Sequence, residues 1–241
     1  MTKFWNAVKI PLLAILCSLV VGGVIIAVTG SNPFKAYYAL LQGSGLSPKS
    51  SYASYKSMLT DFMSYVNYFT PMIFAALAVA VALRAGLFNI GVSGQMLAAG
   101  FTASIIVGYS SLNAVLAKPL VVIIGLIVGG LVGGLIGFLK YRFNINEVVS
   151  SIMLNYTFQY VISFFINTFF VDPVSRQSKE ISAASRLTLM DTMVGNLKMD
   201  IPLGIILALL TVVAVWFLLE KTKLGYELRS GEKGTESLQT H

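Results

Sequence analysis

Apolar stretches that approach the roughly 20 helical residues needed to cross a bilayer core about 30 Å thick constrain this chain more than any other feature. They centre on Ile10 to Val28, Tyr65 to Leu83, Gln95 to Tyr109, Pro119 to Leu139, Val148 to Val171 and Ile201 to Leu219. Only 11% of the 241 residues are charged and 56% are hydrophobic, too little charge to cover a globule of this size in water. The expected fold class is therefore all-α, a polytopic transmembrane helical bundle of about six spans. The third stretch is short, and the Gly-rich segment before it, Gly86 to Gly94, contains Gly91, Asn89 and Ser93. Such a broken segment is tolerated at membrane depth only where protein or a water-filled cavity surrounds it.

Orientation follows from the basic residues. Lys3 and Lys9 precede the first stretch, Arg84 follows the second, Lys140 and Arg142 follow the fourth, and Lys221, Lys223 and Arg229 follow the sixth. Alternating crossings put all of them on one side, and the positive-inside rule makes that side, with the N-terminus, cytoplasmic. The opposing segments Gly30 to Ser64 and Asp172 to Asp200 also carry basic residues, but they are long and count little in this rule. The formal net charge of +7 sits mostly in short segments between apolar runs, which points to membrane lipid as a partner and excludes a nucleic-acid groove. The first run is long for the apolar region of a signal peptide and no small-x-small site follows it, so it reads as a retained span.

Little chemistry is available inside these spans. Cys17, the single cysteine, lies in the first run and reads as a small buried apolar residue, so no intrachain disulfide or thiolate metal site can form. The single histidine is His241, the last residue. Gly231-Glu-Lys-Gly-Thr lacks the spacing of a phosphate-cradling loop, and there is no HExxH, no Ser/His/Asp set and no carboxylate pair within a span. The chain is expected to be no enzyme and to need neither cofactor nor metal. The spans also lack the ionisable groups of proton-coupled transporters and voltage sensors, so energy must come from elsewhere or transport is passive.

Two spans carry patterns. In the fourth, Gly125, Gly129, Gly133 and Gly137 recur at every fourth residue, a stripe that lets another backbone approach closely. In the fifth, Glu147, Ser151, Asn155, Gln159, Ser163 and Asn167 are also four apart. That step advances about 40° beyond one turn, so these residues form a spiral polar strip. The strip either bonds to other helices or borders a hydrated path. Glu147 is also a favourable charge in a first helical turn, near Asn144 and Asn146 as caps.

Three segments resemble a known family in family order. Gly86-Leu-Phe-Asn-Ile-Gly-Val-Ser-Gly-Gln-Met96 is similar to the hallmark of ABC importer permeases of the branched-chain amino acid and simple sugar class, and within it to the nucleoside type. Those permeases usually read Asn-Ile-Gly-Val-Glu-Gly-Gln-Met, whereas this chain has Ser93 at the Glu, so no role of that Glu carries over. Asn146-Glu-Val-Val-Ser-Ser-Ile-Met-Leu-Asn-Tyr156 resembles the start of the corresponding helix, and Thr222-Lys-Leu-Gly-Tyr-Glu-Leu-Arg229 resembles the start of the coupling segment that docks on the ATPase.

The resemblance implies a permease subunit working by alternating access. ATP would be hydrolysed on a separate ATP-binding subunit, beside a second permease subunit and with an extracytoplasmic solute-binding protein delivering a nucleoside or related small polar solute. It implies a multi-pass protein of a prokaryotic cytoplasmic membrane. Polarity and depth single out Asn89, Ser93, Gln95, Asn155 and Gln159 for the path, and the resemblance to the coupling segment implies Gly225, Glu227 and Arg229 for coupling to the ATPase. The bland alternative for the coupling residues is a solvated segment whose charges snorkel to the interface.

From Ser230 the chain is a polar tail unlike the family. The expected organisation is an incomplete permease domain over residues 1–229 and a non-family tail over 230–241, as in a truncated or frameshifted permease. Two other readings follow: a remnant that inserts without coupling to an ATPase, and a passive facilitator.

Overall fold

The computed structural model describes residues 2–172, 174–223 and 225–228. They form two compact units, one comprising the residues up to Tyr65 with Asp191–Asp200, the other Val66–Met190 with the residues from Ile201 onward.

In the first unit the apolar helix α1 (Thr2–Val28) stops before Gly30, whose φ of +82° is a left-handed conformation that glycine adopts without a Cβ clash. A second helix, α2 (Pro33–Gly43), starts on a strong local signal. The Asn32 side chain accepts hydrogen bonds from the Phe34 and Lys35 amides at 2.9 and 3.3 Å, and Pro33 pre-sets the first turn. The Tyr37 hydroxyl donates to the Leu19 carbonyl and ties α2 to α1. Lys49 pairs with Asp61 at 2.6 Å.

Helix α3 (Met58–Arg84) passes into the second unit and ends where Gly86 takes a φ of +68°. After an irregular stretch, α4 (Val92–Ala103) runs into a π-helical turn, Ser104–Gly108. Helix α5 (Ala114–Phe143) is capped by Asn113 and stopped by Asn144 in the left-handed region, with Lys140 and Arg142 on its negative last turn. Helix α6 (Glu147–Phe165) is capped by Asn146, which accepts from the Val148 and Val149 amides, and also ends in a π-helical turn, Ile166–Phe170. Strands β1 (Thr188–Val194) and β2 (Leu197–Pro202) pair through a turn at Gly195, and α7 (Gly204–Lys221) follows.

The core of the second unit lies where α4 packs on α5 and α6. Ala98, Val132 and Ile162 meet there, ringed by Phe101, Val128, Phe158 and Ile166. Outside it, large apolar side chains such as Leu126, Leu131 and Phe164 stand exposed, as they must where lipid is the solvent.

Among the described residues, Val8–Val28, Met58–Arg84, Ala114–Phe143, Glu147–Phe170 and Gly204–Lys221 are long and apolar enough to span a membrane. Val92–Gly108 is apolar but shorter, about 26 Å at 1.5 Å per residue. The protein is thus a polytopic helical membrane protein, with the third of the expected spans as short as its sequence. The all-α expectation holds, with the two-stranded hairpin of Thr188–Val194 and Leu197–Pro202 as a minor addition. The Gly-Asn between its two strands is the sequence signal for it.

Candidate functional site

The break between α3 and α4 is held from the side by α6. Helix α4 has Gly91 at its N-cap and therefore no capping side chain of its own. Asn155 supplies one: its Oδ1 accepts the Gly94 amide at 2.8 Å, and its Nδ2 donates to the Ile90 carbonyl at 3.0 Å. Asn89 closes the segment locally, accepting the Gly91 amide at 2.7 Å. Two backbone donors and one acceptor, in the irregular stretch and the first turn of α4, are thereby satisfied without water.

The approach requires glycine. A Cβ at Gly94 would lie 2.6 Å from Asn155 Oδ1 and 3.1 Å from its Cα. A Cβ at Gly91 would lie 2.6 Å from Ile136 Cδ1 and 3.2 Å from the Cβ of Ser151, which is fully buried.

Beside the break, α3, α4 and α5 enclose a cavity of about 450 Å³ whose walls include Phe74, Gln95, Met96, Gly125 and Gly129. Gln95 is the one polar side chain in that wall. Its Nε2 is buried without a hydrogen-bond partner and would lie 3.3 Å from a Cβ on Gly133. Among the described residues, no ionisable side chain lines the cavity.

The path residues read from the sequence thus separate. Asn89 and Asn155 meet at the break, and Gln95 lines the cavity. Ser93 and Gln159 are exposed and stand outside that wall. The polar strip of α6 divides in the same way. Glu147 pairs with Lys140 at 2.8 Å, the Ser151 hydroxyl donates to the Val148 carbonyl, and Asn155 bonds across to the break. Ser163 and Asn167 are exposed, joined by a bond from Asn167 Nδ2 to the Ser163 carbonyl.

In the glycine stripe, Gly125 and Gly129 border the cavity, Gly133 receives Gln95, and no atom lies within 4 Å of a Cβ at Gly137. Past α7, Gly225 is buried and its amide donates to Thr222 Oγ1 at 3.3 Å, while Glu227 is exposed. Arg229 and the tail from Ser230 lie outside the described residues.

Comparisons with known proteins agree with this architecture. The family described as "Branched-chain amino acid transport system / permease component" matches residues 62–233. A guanosine ABC transporter permease protein of Bacillus subtilis is 34% identical, over 95% of this chain and 63% of the relative. A nucleoside ABC transporter permease protein of Lactococcus lactis subsp. cremoris is 33% identical, over 92% of this chain and 60% of the relative. A glucose ABC transporter permease protein of Haloferax volcanii is 29% identical, over 93% of this chain and 58% of the relative. The chain therefore spans about three fifths of the length of these relatives. No solved structure matches it.

Proposed function

The chain belongs to the permease family of the branched-chain amino acid transport systems, and from that premise we propose that it is a transmembrane subunit of an ATP-driven importer for nucleosides. The observation that carries the reading is the break at Gly86 to Gly94, held by Asn155 beside a cavity with one unpartnered amide. A packed bundle needs no such break. A path that opens alternately to either side needs irregular backbone and a polar contact at membrane depth. The nucleoside preference is supported by the names of the two relatives above 30% identity.

In this reading Gln95 contacts the solute, while Asn155 and Asn89 hold the break in register. Gly225 and Glu227 lie where an ATP-binding subunit would dock, and that subunit supplies the ATP hydrolysis. A solute-binding protein delivers the solute from outside, a second permease subunit completes the path, and the whole sits in a prokaryotic cytoplasmic membrane.

The test is uptake of radiolabelled nucleoside by cells that lack their own nucleoside uptake and express this chain with an ATP-binding subunit and a solute-binding protein. Uptake should depend on ATP. Uptake that survives ATP depletion would instead make the protein a passive facilitator.

A further inference from the structure

At the end of the spans opposite Lys140 and Glu147, the rings of Tyr109 and Phe170 lie stacked, with centroids 5.6 Å apart and planes 13° from parallel. Phe101 meets Phe170 edge-to-face at 6.2 Å and 89°, which fixes that ring from another side.

Both rings are placed by the same device. Tyr109 directly follows the π-helical turn of Ser104–Gly108, and Phe170 closes the π-helical turn of Ile166–Phe170. A π turn is rare and is frequently met at functional sites. Here two of them, on neighbouring helices, swing two aromatic side chains into one contact.

The stacked pair stands on a wall shared by two cavities. The outer one, about 670 Å³, is bordered by Tyr109 and Phe170 together with Phe169, Asp172, Gln177 and Ser178. This falls within the range of about 300–1,000 Å³ of small-molecule pockets. The second, about 290 Å³, is bordered by the same two rings and Ser178, and it shares Met96 with the cavity beside Gln95. The rings thus stand between the outer cavity and the smaller one behind it.

We propose that Tyr109 and Phe170 form a recognition site for the planar heterocyclic base of a nucleoside at the mouth of the path. The site rests on the nucleoside reading above and adds where the base is read. The ring surface that the pair does not turn inward on itself offers stacking that every base accepts. The amide of Gln177, the hydroxyls of Ser175 and Ser178 and the carboxylate of Asp172 offer the hydrogen-bonding groups that base edges and ribose hydroxyls require. The inner cavity, with Gln95 as its one polar side chain, cannot satisfy a ribose. The outer site therefore reads the base of the solute that the solute-binding protein hands over.

The experiment titrates the full chain in lipid nanodiscs with 2-aminopurine riboside, whose fluorescence falls when the base stacks on an aromatic ring. Saturable quenching is expected, displaced by guanosine and not by glucose. Tyr109→Leu and Phe170→Leu keep apolar bulk but remove a ring face, and each should raise Kd about ten-fold, the order lost with one base stack. Tyr109→Phe and Phe170→Tyr restore a ring and should bind within about three-fold of wild type, which separates loss of stacking from loss of fold. Wild-type quenching that survives both Leu variants unchanged, or that glucose displaces as well as guanosine does, overturns the site and leaves the importer reading standing. Absence of quenching in the wild type overturns the site and the nucleoside reading together.

Discussion

Asn155 on α6 accepts the amide hydrogen of Gly94 at 2.8 Å and donates to the carbonyl of Ile90 at 3.0 Å, so one side chain serves both edges of the break that precedes α4. It takes the place of the N-cap that Gly91 cannot provide. In water a lost cap exposes its amides to solvent. At membrane depth no solvent replaces it, so the cost is that of a buried unsatisfied group.

Asn155→Leu should therefore destabilise the protein by about 1–3 kcal/mol, read as a lowered thermal midpoint in detergent. Asn155→Asp keeps the acceptor for Gly94 and loses the donor to Ile90, and should fall between the two. A Leu variant with an unchanged midpoint would show that the break does not depend on this bond.

Gly94→Ala places a methyl group 2.6 Å from Asn155 Oδ1 and 3.1 Å from the α6 backbone, so the Asn155 side chain must leave its bond to the Gly94 amide and α6 must move away from α4. It should lower folded yield and midpoint sharply. Gly134→Ala, with no atom within 4 Å of the new carbon, should leave both near wild type. Equal effects at the two positions would contradict the close packing of α4 on α6.

Outside the spans, the Ser175 and Val174 amides bond to the Asp172 side chain and hold its carboxyl below the usual carboxylate range. A lowered folded pKa means that the turn gains from the charged form above the ordinary Asp value, about 3.9, and loses it as pH falls through the lower folded value. Hydrogen exchange at Val174 and Ser175 should therefore be protected equally from about pH 7 to pH 5 and should lose protection only below about pH 4. In Asp172→Asn that low-pH loss should disappear. Loss of protection already near pH 6 would mean that another group controls the turn.

The spans and the break were legible because lipid leaves few options: apolar length sets the helices, and the glycines around Asn89 mark where a helix cannot continue. Asn155 stood out as a polar residue on an apolar helix. Its partners did not, since Ile90 and Gly94 lie more than sixty residues away along the chain. The stripe from Gly125 to Gly137 promised close helix contact, whereas Gly125 and Gly129 border open space, a difference that depends on where α3 lies. The Asn32-Pro33 start of α2 and the Gly195-Asn196 turn after β1 were present in the sequence but were masked by the length of the segments that contain them. The pairing of Tyr109 with Phe170 depends on two π-helical turns, for which apolar periodicity carries no signal.

The central claim, that solute crosses through the cavity between α3, α4 and α5 under ATP drive, is tested most directly by chemical block of that cavity. In a Cys17→Ser background, Gly129→Cys places a thiol in its wall. The measurement is ATP-dependent nucleoside accumulation in vesicles before and after reaction with a bulky methanethiosulfonate. Modification should abolish accumulation, and saturating nucleoside should slow the modification. Full modification at an unchanged rate with accumulation intact would contradict it.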